Sequence, residues 1–260
     1  MTKSLLMFAC FFICLTNTML FAQLPYVKSN YSFGASANFL IISHIIDFNN
    51  LPEVESCCPH YSDANGSGLS FGLFAERRID AFSYISLALS YVHLNADLSS
   101  PEFKWIVIND QPALAEINHK LTSSLSYLSV EPGYKYSTPI GLTFGAALDL
   151  NFLLSTKYNQ SEILVKPENE GTFENGKRIR YELSGNIKET SVLMALLNFY
   201  AEFYFKLDNF NLYSIGPKIS YSYGLNSLFS DRKWRISYFS LGLQFKYNPF
   251  SEVSSPLEPK

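Results

Sequence analysis

Several features are scarce in this chain of 260 residues, and each scarcity excludes a class of protein. Only 17% of the residues are charged, and 20 Lys+Arg nearly balance 23 Asp+Glu, so no basic surface for nucleic acid is expected. Four cysteines are too few for a disulfide scaffold. After residue 22, no run of about 18 apolar residues occurs, so no membrane-spanning helix is expected there.

The first 22 residues have the pattern of a secretory signal peptide. Lys3 supplies a positive charge, Leu5–Leu15 is an apolar run, and Ala22 is a small residue at the expected cleavage site. A retained membrane helix and a lipoprotein signal are alternatives. The run is short for a span, however, and neither Cys10 nor Cys14 closes a good lipobox. The mature chain is therefore expected to begin at residue 23.

The main feature of the mature chain is alternation. From Ile140 to Phe152, even positions are mostly large and apolar, whereas odd positions are small or polar, which is the period of a β-strand. The same pattern predicts eight strands, at residues 31–41, 69–76, 85–91, 128–136, 140–152, 193–206, 213–223 and 239–247.

The connections between these strands alternate in length. Three are tight, at 77–81, 137–139 and 208–211, and four are longer, at 44–67, 96–120, 154–189 and 226–233. Short turns at one rim and long loops at the other are typical of outer-membrane barrels. The sequence therefore predicts an all-β fold, an eight-stranded antiparallel up-and-down transmembrane β-barrel with long extracellular loops, spanning residues 23–247.

Alternation alone also fits a soluble, lipocalin-like barrel. The small face carries few charges, whereas a water-facing surface normally has about 25–35% charged residues, so we expect that face to line a narrow lumen. Aromatic residues also gather near both strand ends, as in interfacial girdles. We therefore predict a bacterial outer-membrane protein whose apolar face contacts lipid, with periplasmic termini and a short periplasmic tail at 248–260.

The last predicted strand resembles the C-terminal signal that the barrel-assembly machinery reads in outer-membrane proteins. Ser240, Gly242, Phe245 and Tyr247 carry this resemblance, although a 13-residue tail follows. The segment Cys57-Cys58-Pro59, followed by Gly66-Ser67-Gly68, Gly72 and Glu76, is similar to a stretch of barrels from the Bacteroidota and Chlorobi group. Over the mature chain, the sequence resembles the PorT and OmpA-like outer-membrane β-barrel domain families of diderm bacteria. The PorT resemblance implies an accessory role in outer-membrane assembly or secretion.

Eight charged side chains are predicted to face the lumen, four of them acidic and four basic. Buried charges persist when they are paired, so a structural ion network is favoured over a conduction path. No cofactor is expected. The predicted network comprises Glu76, Glu131, Lys135, Asp149, Glu202, Lys206, Lys218 and Lys246. Counting back from the tight turn at 208–211 places Glu202 opposite Lys218, and their opposite charges predict an ion pair between them.

The first long loop contains the adjacent cysteines Cys57 and Cys58. A strained vicinal disulfide, an interchain bond and free thiols are all open. His60 lies two residues further on, but three nearby ligands fall short of the usual four for a metal, so no metal site is expected.

Two of the longer connections have extended character. The pattern predicts two ribbons that project from the barrel. The first comprises residues 103–108 and 117–121, and the second comprises residues 163–166 and 178–181, with Asn175-Gly176 between them. Exposed ribbon edges favour strand addition by a protein partner, and a solvated stalk without a partner is the alternative.

The predicted function is therefore non-enzymatic: surface binding, or accessory work in assembly or secretion. One alternative is a lipid A-modifying enzyme, because known barrel enzymes of this kind use Ser and His near the outer rim and His93 follows the lipid-facing Tyr91. A small-solute pore is the other alternative.

Overall fold

In the computed structural model, the described residues are 28–49, 51, 60–62, 64–108, 111–168, 171–209, 211–249 and 251–252. The expected signal peptide, Cys57, Cys58 and most of the expected tail lie outside them. No helix in this part of the chain is long and apolar enough to cross a membrane. Its strands are β1 (Lys28–Ser29), β2 (Tyr31–Asp47), β3 (Ala64–Arg78), β4 (Ser83–Ile108), β5 (Gln111–Ser137), β6 (Leu142–Lys166), β7 (Ile179–Asn186), β8 (Leu193–Phe203), β9 (Phe205–Lys206), β10 (Tyr213–Gly224), β11 (Lys233–Tyr247) and β12 (Ser251–Glu252).

Eight of these strands form a closed antiparallel barrel. The order around the wall is β2, β3, β4, β5, β6, β8, β10 and β11, and the pairing of β11 with both β10 and β2 closes the ring. β9 continues the line of β8 along β10, β7 pairs with β6 outside the ring, and β1 pairs with β12. The predicted eight-stranded, antiparallel up-and-down barrel is confirmed.

Three short turns lie at one end of the barrel, at residues 79–82, 138–141 and 207–212, as predicted. In the first, Asp80 accepts hydrogen bonds from the backbone N–H groups of Phe82 and Ser83. In the second, Gly141 has a φ of 85°, a conformation in which a Cβ atom is strained. In the third, Asp208 accepts hydrogen bonds from the backbone N–H groups of Leu212 and Tyr213.

At the other end, the strands continue where long loops were expected. β4 and β5 stay paired as far as Ile108 and Gln111, so the expected connection at 96–120 is a long hairpin. β6 continues to Lys166 and pairs with β7. The two projecting ribbons predicted from the sequence are thus confirmed, but the predicted ends of the strands were wrong by many residues.

Near the short turns, the wall has apolar residues outside and small or polar residues inside. We call this part the belt section; its upper limit is the level of Ile41, Leu69, Tyr91, Leu128, Phe152, Tyr223 and Phe239. Outward residues such as Phe71, Leu73 and Leu243 are more than half exposed. Between them, Ser70, Gly72 and Gly242 face the interior.

Beyond that level, which we call the upper section, the polarity of the two faces is exchanged. Along β4, Val92, Leu94, Ala96 and Leu98 point inward and are buried, while Asn95, Asp97 and Ser99 are exposed. The strand keeps its period of two, so only the chemistry of each face changes.

A continuous apolar core fills the upper section. The prediction that small and polar residues line the whole interior is therefore wrong for this section. Trp234 is fully buried at its centre and contacts the rings of Phe48 and Phe229, with centroid distances of 5.5 and 5.9 Å. The cluster also contains Leu40, Ile42, Ile46, Leu51, Tyr61, Ala64, Val92, Leu94, Ala96, Leu98, Leu121, Leu125, Tyr127, Ile187, Met194, Leu196, Leu228, Ile236 and Tyr238.

Candidate functional site

The ribbon formed by the ends of β4 and β5 has one strongly apolar face. Phe103, Trp105 and Val107 project from the outer face of β4 and are 62%, 70% and 73% exposed. Leu114 and Pro112 lie directly opposite Trp105 and Val107 on β5 and are also exposed. These five residues form the tip patch.

Polar residues separate the tip patch from the belt section. Between Tyr91 and Phe103, the outward positions of β4 are His93, Asn95, Asp97, Ser99 and Pro101. Trp105 is fourteen positions beyond Tyr91 in the same strand, which corresponds to about 45 Å along it. The tip patch is therefore a separate apolar surface and not a continuation of the belt.

The ribbon also has a free backbone edge. Among the described strands, none pairs with β4 on the β3 side beyond Asp97. Pro101, which has no N–H, and Val107, which lies opposite Pro112, both occupy odd positions of β4. Odd positions therefore direct their backbone N–H and C=O groups toward this free edge.

The inner face of the ribbon is held by a cluster of polar side chains around His119. His119 is buried, and its Nε2 lies 3.0 Å from Glu102 Oε2 and its Nδ1 3.4 Å from Glu162 Oε1. Glu162 also accepts a hydrogen bond from Arg180 Nε at 2.8 Å. Burial, together with the negative charge of Glu162, raises the pKa of Tyr61 to about 12. The ribbon is thus fixed to the top of the apolar core.

Arg178 organises the second ribbon. Its guanidinium donates hydrogen bonds to the carbonyl groups of Leu164, Val165, Pro167 and Gly171. The turn folds over a small apolar cluster of Ala115, Ile117, Leu164, Ile106 and Phe173.

Inside the belt section, the structure brings together four of the eight predicted lumen charges. Lys135 Nζ lies 2.6 Å from Glu76 Oε1 and 2.7 Å from Glu202 Oε1, and Lys246 Nζ lies 2.8 Å from Glu76 Oε2. Ser32 donates a further hydrogen bond to Glu76. These groups cross the interior from different strands.

The other four predicted charges take different positions. Asp149 is fully buried and accepts hydrogen bonds from Ser222 and Tyr238, at 3.1 and 3.3 Å. Glu131 and Lys218 are partly buried. Lys206 is exposed at the rim of the short turns.

The predicted register between Glu202 and Lys218 is confirmed, since the two residues are direct cross-strand partners. The expected ion pair was wrong, however. Glu202 binds Lys135, and Lys218 Nζ lies 4.4 Å from the ring centroid of Tyr200. Turn geometry sets which backbones are opposite each other, whereas closure of the barrel decides which side chains meet across the lumen.

His44 anchors the wall to the apolar core. It is fully buried, accepts a hydrogen bond from Trp234 Nε1 at 3.0 Å and donates from Nε2 to the carbonyl oxygen of Asn95 at 3.2 Å. Burial lowers its pKa to about 4. Gly66 makes this approach possible, because a Cβ there would lie 1.8 Å from the Asn95 oxygen.

The remaining candidates are spread over the molecule. His93 contacts Ser126 on the outer wall, with 3.1 Å between Nδ1 and Oγ. His60 is exposed and lies beside Asn49 and Asp47. Of the suggested assembly signal, Ser240 and Gly242 face inward, and Phe245 and Tyr247 lie on the apolar belt.

Sequence reasoning missed the cluster around His119 and the contact of His93 with Ser126. In β4, the apolar residues move from odd to even positions after Tyr91, which also fits one continuous strand whose faces exchange polarity. By itself that change is also typical of the end of a strand, so the sequence does not indicate the paired extension of β4 and β5 that carries His93 and His119.

No protein-family model matches the chain, and no curated protein matches it. Among solved structures, it is similar to Neisserial surface protein A (TM-score 0.37, 9% identity, 85% of this chain and 97% of that one). It is also similar to Ail, the attachment invasion locus protein of Yersinia pestis (TM-score 0.36, 11% identity, 84% and 99%). OprG from Pseudomonas aeruginosa is a third (TM-score 0.31, 11% identity, 85% and 98%). The function is therefore inferred from this chain's own residues.

Proposed function

We propose that this protein is an outer-membrane barrel that binds an extended segment of a partner protein at the edge of its β4–β5 ribbon. The apolar belt supports the membrane location, because large outward side chains such as Phe71 and Leu243 cover the wall around the barrel. In water, an exposed apolar surface of this extent would favour aggregation, whereas lipid would cover it.

The proposed orientation places both termini and the short turns in the periplasm and the ribbons outside the cell. Lys177 is exposed in the turn between β6 and β7, whereas Arg77 and Lys206 lie at the opposite rim. Trypsin added to intact cells is expected to cut after Lys177 and to spare the other two sites. Cleavage at Lys206 in sealed cells would contradict this orientation.

The free edge of β4 carries the proposal for binding. It offers unpaired backbone groups at Phe103, Trp105 and Val107, whose apolar side chains stand on one face. A partner strand would gain backbone hydrogen bonds from the edge and would place alternate apolar residues against the tip patch. The partner proposed is therefore a protein segment with alternating apolar residues, and its binding involves no covalent step.

Val107→Pro tests this mode of binding. Proline removes one N–H from the free edge but leaves the pairing with β5 intact, because Val107 lies opposite Pro112 and its N–H is directed away from β5. Val107→Thr is the matched control, since it retains the N–H. In affinity capture from native outer membranes, the partner is expected with the wild type and with Val107→Thr but not with Val107→Pro. Equal capture by all three forms, or capture by none, would contradict the proposal.

The alternative of a small-solute pore is disfavoured. The ion cluster around Lys135 crosses the interior of the belt section, and the core around Trp234 fills the upper section. We expect little steady conductance from the protein in planar lipid bilayers.

A further inference from the structure

The outer wall carries a serine–histidine contact at the upper limit of the belt section. His93 on β4 and Ser126 on β5 are direct cross-strand partners, with 3.1 Å between His93 Nδ1 and Ser126 Oγ. The Tyr91 hydroxyl donates to the same Ser126 oxygen at 3.0 Å. Because that oxygen accepts from Tyr91, its own proton is free to be donated to His93. The three groups form a directed chain from Tyr91 through Ser126 to His93.

The backbone is irregular at this point. Ser126 pairs with Ser155 and Tyr127 pairs with Leu153, so β6 has one extra residue, Leu154, between them. Such bulges redirect neighbouring side chains and are over-represented next to active sites. Ser126 itself is 8% exposed, which shields its hydroxyl from bulk water.

The surroundings of the pair change from apolar to polar at the same level. Leu128 and Phe152 lie below it on the belt and are exposed. Above it is a depression whose lining includes Asn95, Thr122, Lys157 and the carboxylate of Asp97. In a lipid, ester bonds join the acyl chains to a glycerol or sugar backbone next to the polar headgroup, so they would lie at this boundary. Lys157 would supply a positive charge beside a headgroup phosphate.

We propose that Ser126 and His93 hydrolyse an ester bond between a fatty acyl chain and the glycerol or sugar backbone of an outer-leaflet lipid. This activity rests on the proposed membrane location but not on the ribbon, and it departs from the non-enzymatic role predicted from the sequence. The shared chemistry is an oxygen ester at the boundary between headgroup and acyl chains. Phospholipid and lipopolysaccharide both contain such esters.

The reaction needs only water as co-reactant. Ser126 Oγ attacks the ester carbonyl while His93 Nδ1 takes the hydroxyl proton, and the glycerol or sugar hydroxyl that carried the acyl chain leaves with that proton. The acyl group remains on Ser126 as an ester. Water then attacks this ester with His93 again as the base, which releases the fatty acid and restores the serine. The Tyr91 hydroxyl, which donates to Ser126 Oγ at 3.0 Å, would hold that oxygen in position for the attack.

Release of fatty acid by the purified full-length protein is the first test. Vesicles of phospholipid and vesicles that contain lipopolysaccharide are incubated separately with the protein, and the products are measured by mass spectrometry. His93→Asn is expected to lower the rate by roughly 10²–10⁴-fold, and Ser126→Ala to abolish release above background. Ser155→Ala is the matched control, because Ser155 lies opposite Ser126 on β6. It is expected to retain the wild-type rate.

Covalent labelling supplies a readout that needs no lipid substrate and no insertion into a membrane. A fluorophosphonate probe is expected to modify Ser126 of the detergent-purified protein and to fail with His93→Asn. Release from one type of vesicle alone would identify the substrate. The inference is overturned if Ser126→Ala releases fatty acid at the wild-type rate. It is equally overturned if neither type of vesicle yields fatty acid and Ser126 is not labelled.

Discussion

The two sections of the barrel differ in what their walls enclose, although the same strands build both. In the belt section, Lys135 and Glu76 lie inside and Phe71 and Leu243 outside, whereas in the upper section Trp234 lies inside and Asp97 outside. One strand of constant period can therefore present an apolar outer face in the belt section and a polar outer face in the upper section, because only the side-chain pattern changes. In the proposed orientation, the level at which the side-chain pattern changes is the outer boundary of the membrane-embedded part of the barrel.

The difference also determines how each section is stabilised. In water, the upper section gains from burial of its apolar core, as any soluble domain does. The belt section has no comparable driving force from its interior, and its polar groups must satisfy one another across the lumen. Substitutions that target the two interiors should therefore differ in mechanism as well as in size.

The largest effect is expected for Lys135→Ala in the belt section. Lys135 is buried and contacts both Glu76 and Glu202, so its removal leaves two carboxylates without that partner. We expect the free energy of unfolding to fall by about 5 kcal/mol, measured by denaturant titration in detergent micelles. A loss below about 1 kcal/mol would show that water fills the lumen and that the belt interior is not dry.

A slightly smaller effect is expected for Trp234→Ala in the upper section. Trp234 is fully buried against Phe48 and Phe229, so the substitution removes apolar contacts and leaves a cavity. The expected loss is about 4 kcal/mol in the same titration. Trp105→Ala is the matched control and should change the free energy of unfolding very little, because Trp105 is exposed. Equal losses for both tryptophans would contradict the apolar core.

Acid is expected to destabilise the upper section through His44. Burial lowers the pKa of His44 from 6.5 to about 4, so between these pH values the unfolded chain binds a proton that the folded protein does not. Stability should thus fall by up to about 3 kcal/mol as the pH drops from 6.5 to 4, and His44 should contribute no slope above 6.5. Comparison of the pH dependence of wild type and His44→Gln by thermal melting isolates this term. An unchanged slope in the variant would exclude His44 as its source.

The smallest effect is expected for the cross-strand neighbours Glu202 and Lys218. Lys218 lies over the Tyr200 ring, and Glu202 is bound to Lys135. A double-mutant cycle of Glu202→Ala and Lys218→Ala should give a coupling energy of about 0.2–1 kcal/mol. The cycle of Glu202→Ala and Lys135→Ala should give a clearly larger value. The reverse order would mean that the sequence-based ion pair is the real one.

The barrel itself could be predicted from local rules. Alternation in 140–152 identifies a strand, and the turn at 208–211 sets the register that places Glu202 opposite Lys218. The upper section could not be predicted in this way, because residues 92–98 keep the period of a strand but exchange the polarity of its faces. Only the folded wall shows that residues 92–98 continue the strand predicted at 85–91.

Contacts across the barrel could not be predicted. Lys135 meets Glu76 and Glu202 because β3, β5 and β8 face one another across the lumen. Trp234 reaches His44 only after β11 closes on β2. His93 and Ser126 face each other because a hairpin of more than fifty residues stays in register. Such contacts depend on closure and on the extent of pairing, which one sequence does not encode locally.

Site-directed spin labelling along β11 tests the central claim most directly, namely that the faces exchange at the outer boundary of the membrane. Labels are placed singly at the outward positions Leu243, Leu241, Phe239, Arg235 and Lys233, in a protein whose native cysteines are replaced by serine. In lipid bilayers, the first three should be accessible to oxygen and the last two to a water-soluble nickel complex. Accessibility of Leu243 and Leu241 to the nickel complex, or an oxygen preference that continues to Lys233, would contradict the account.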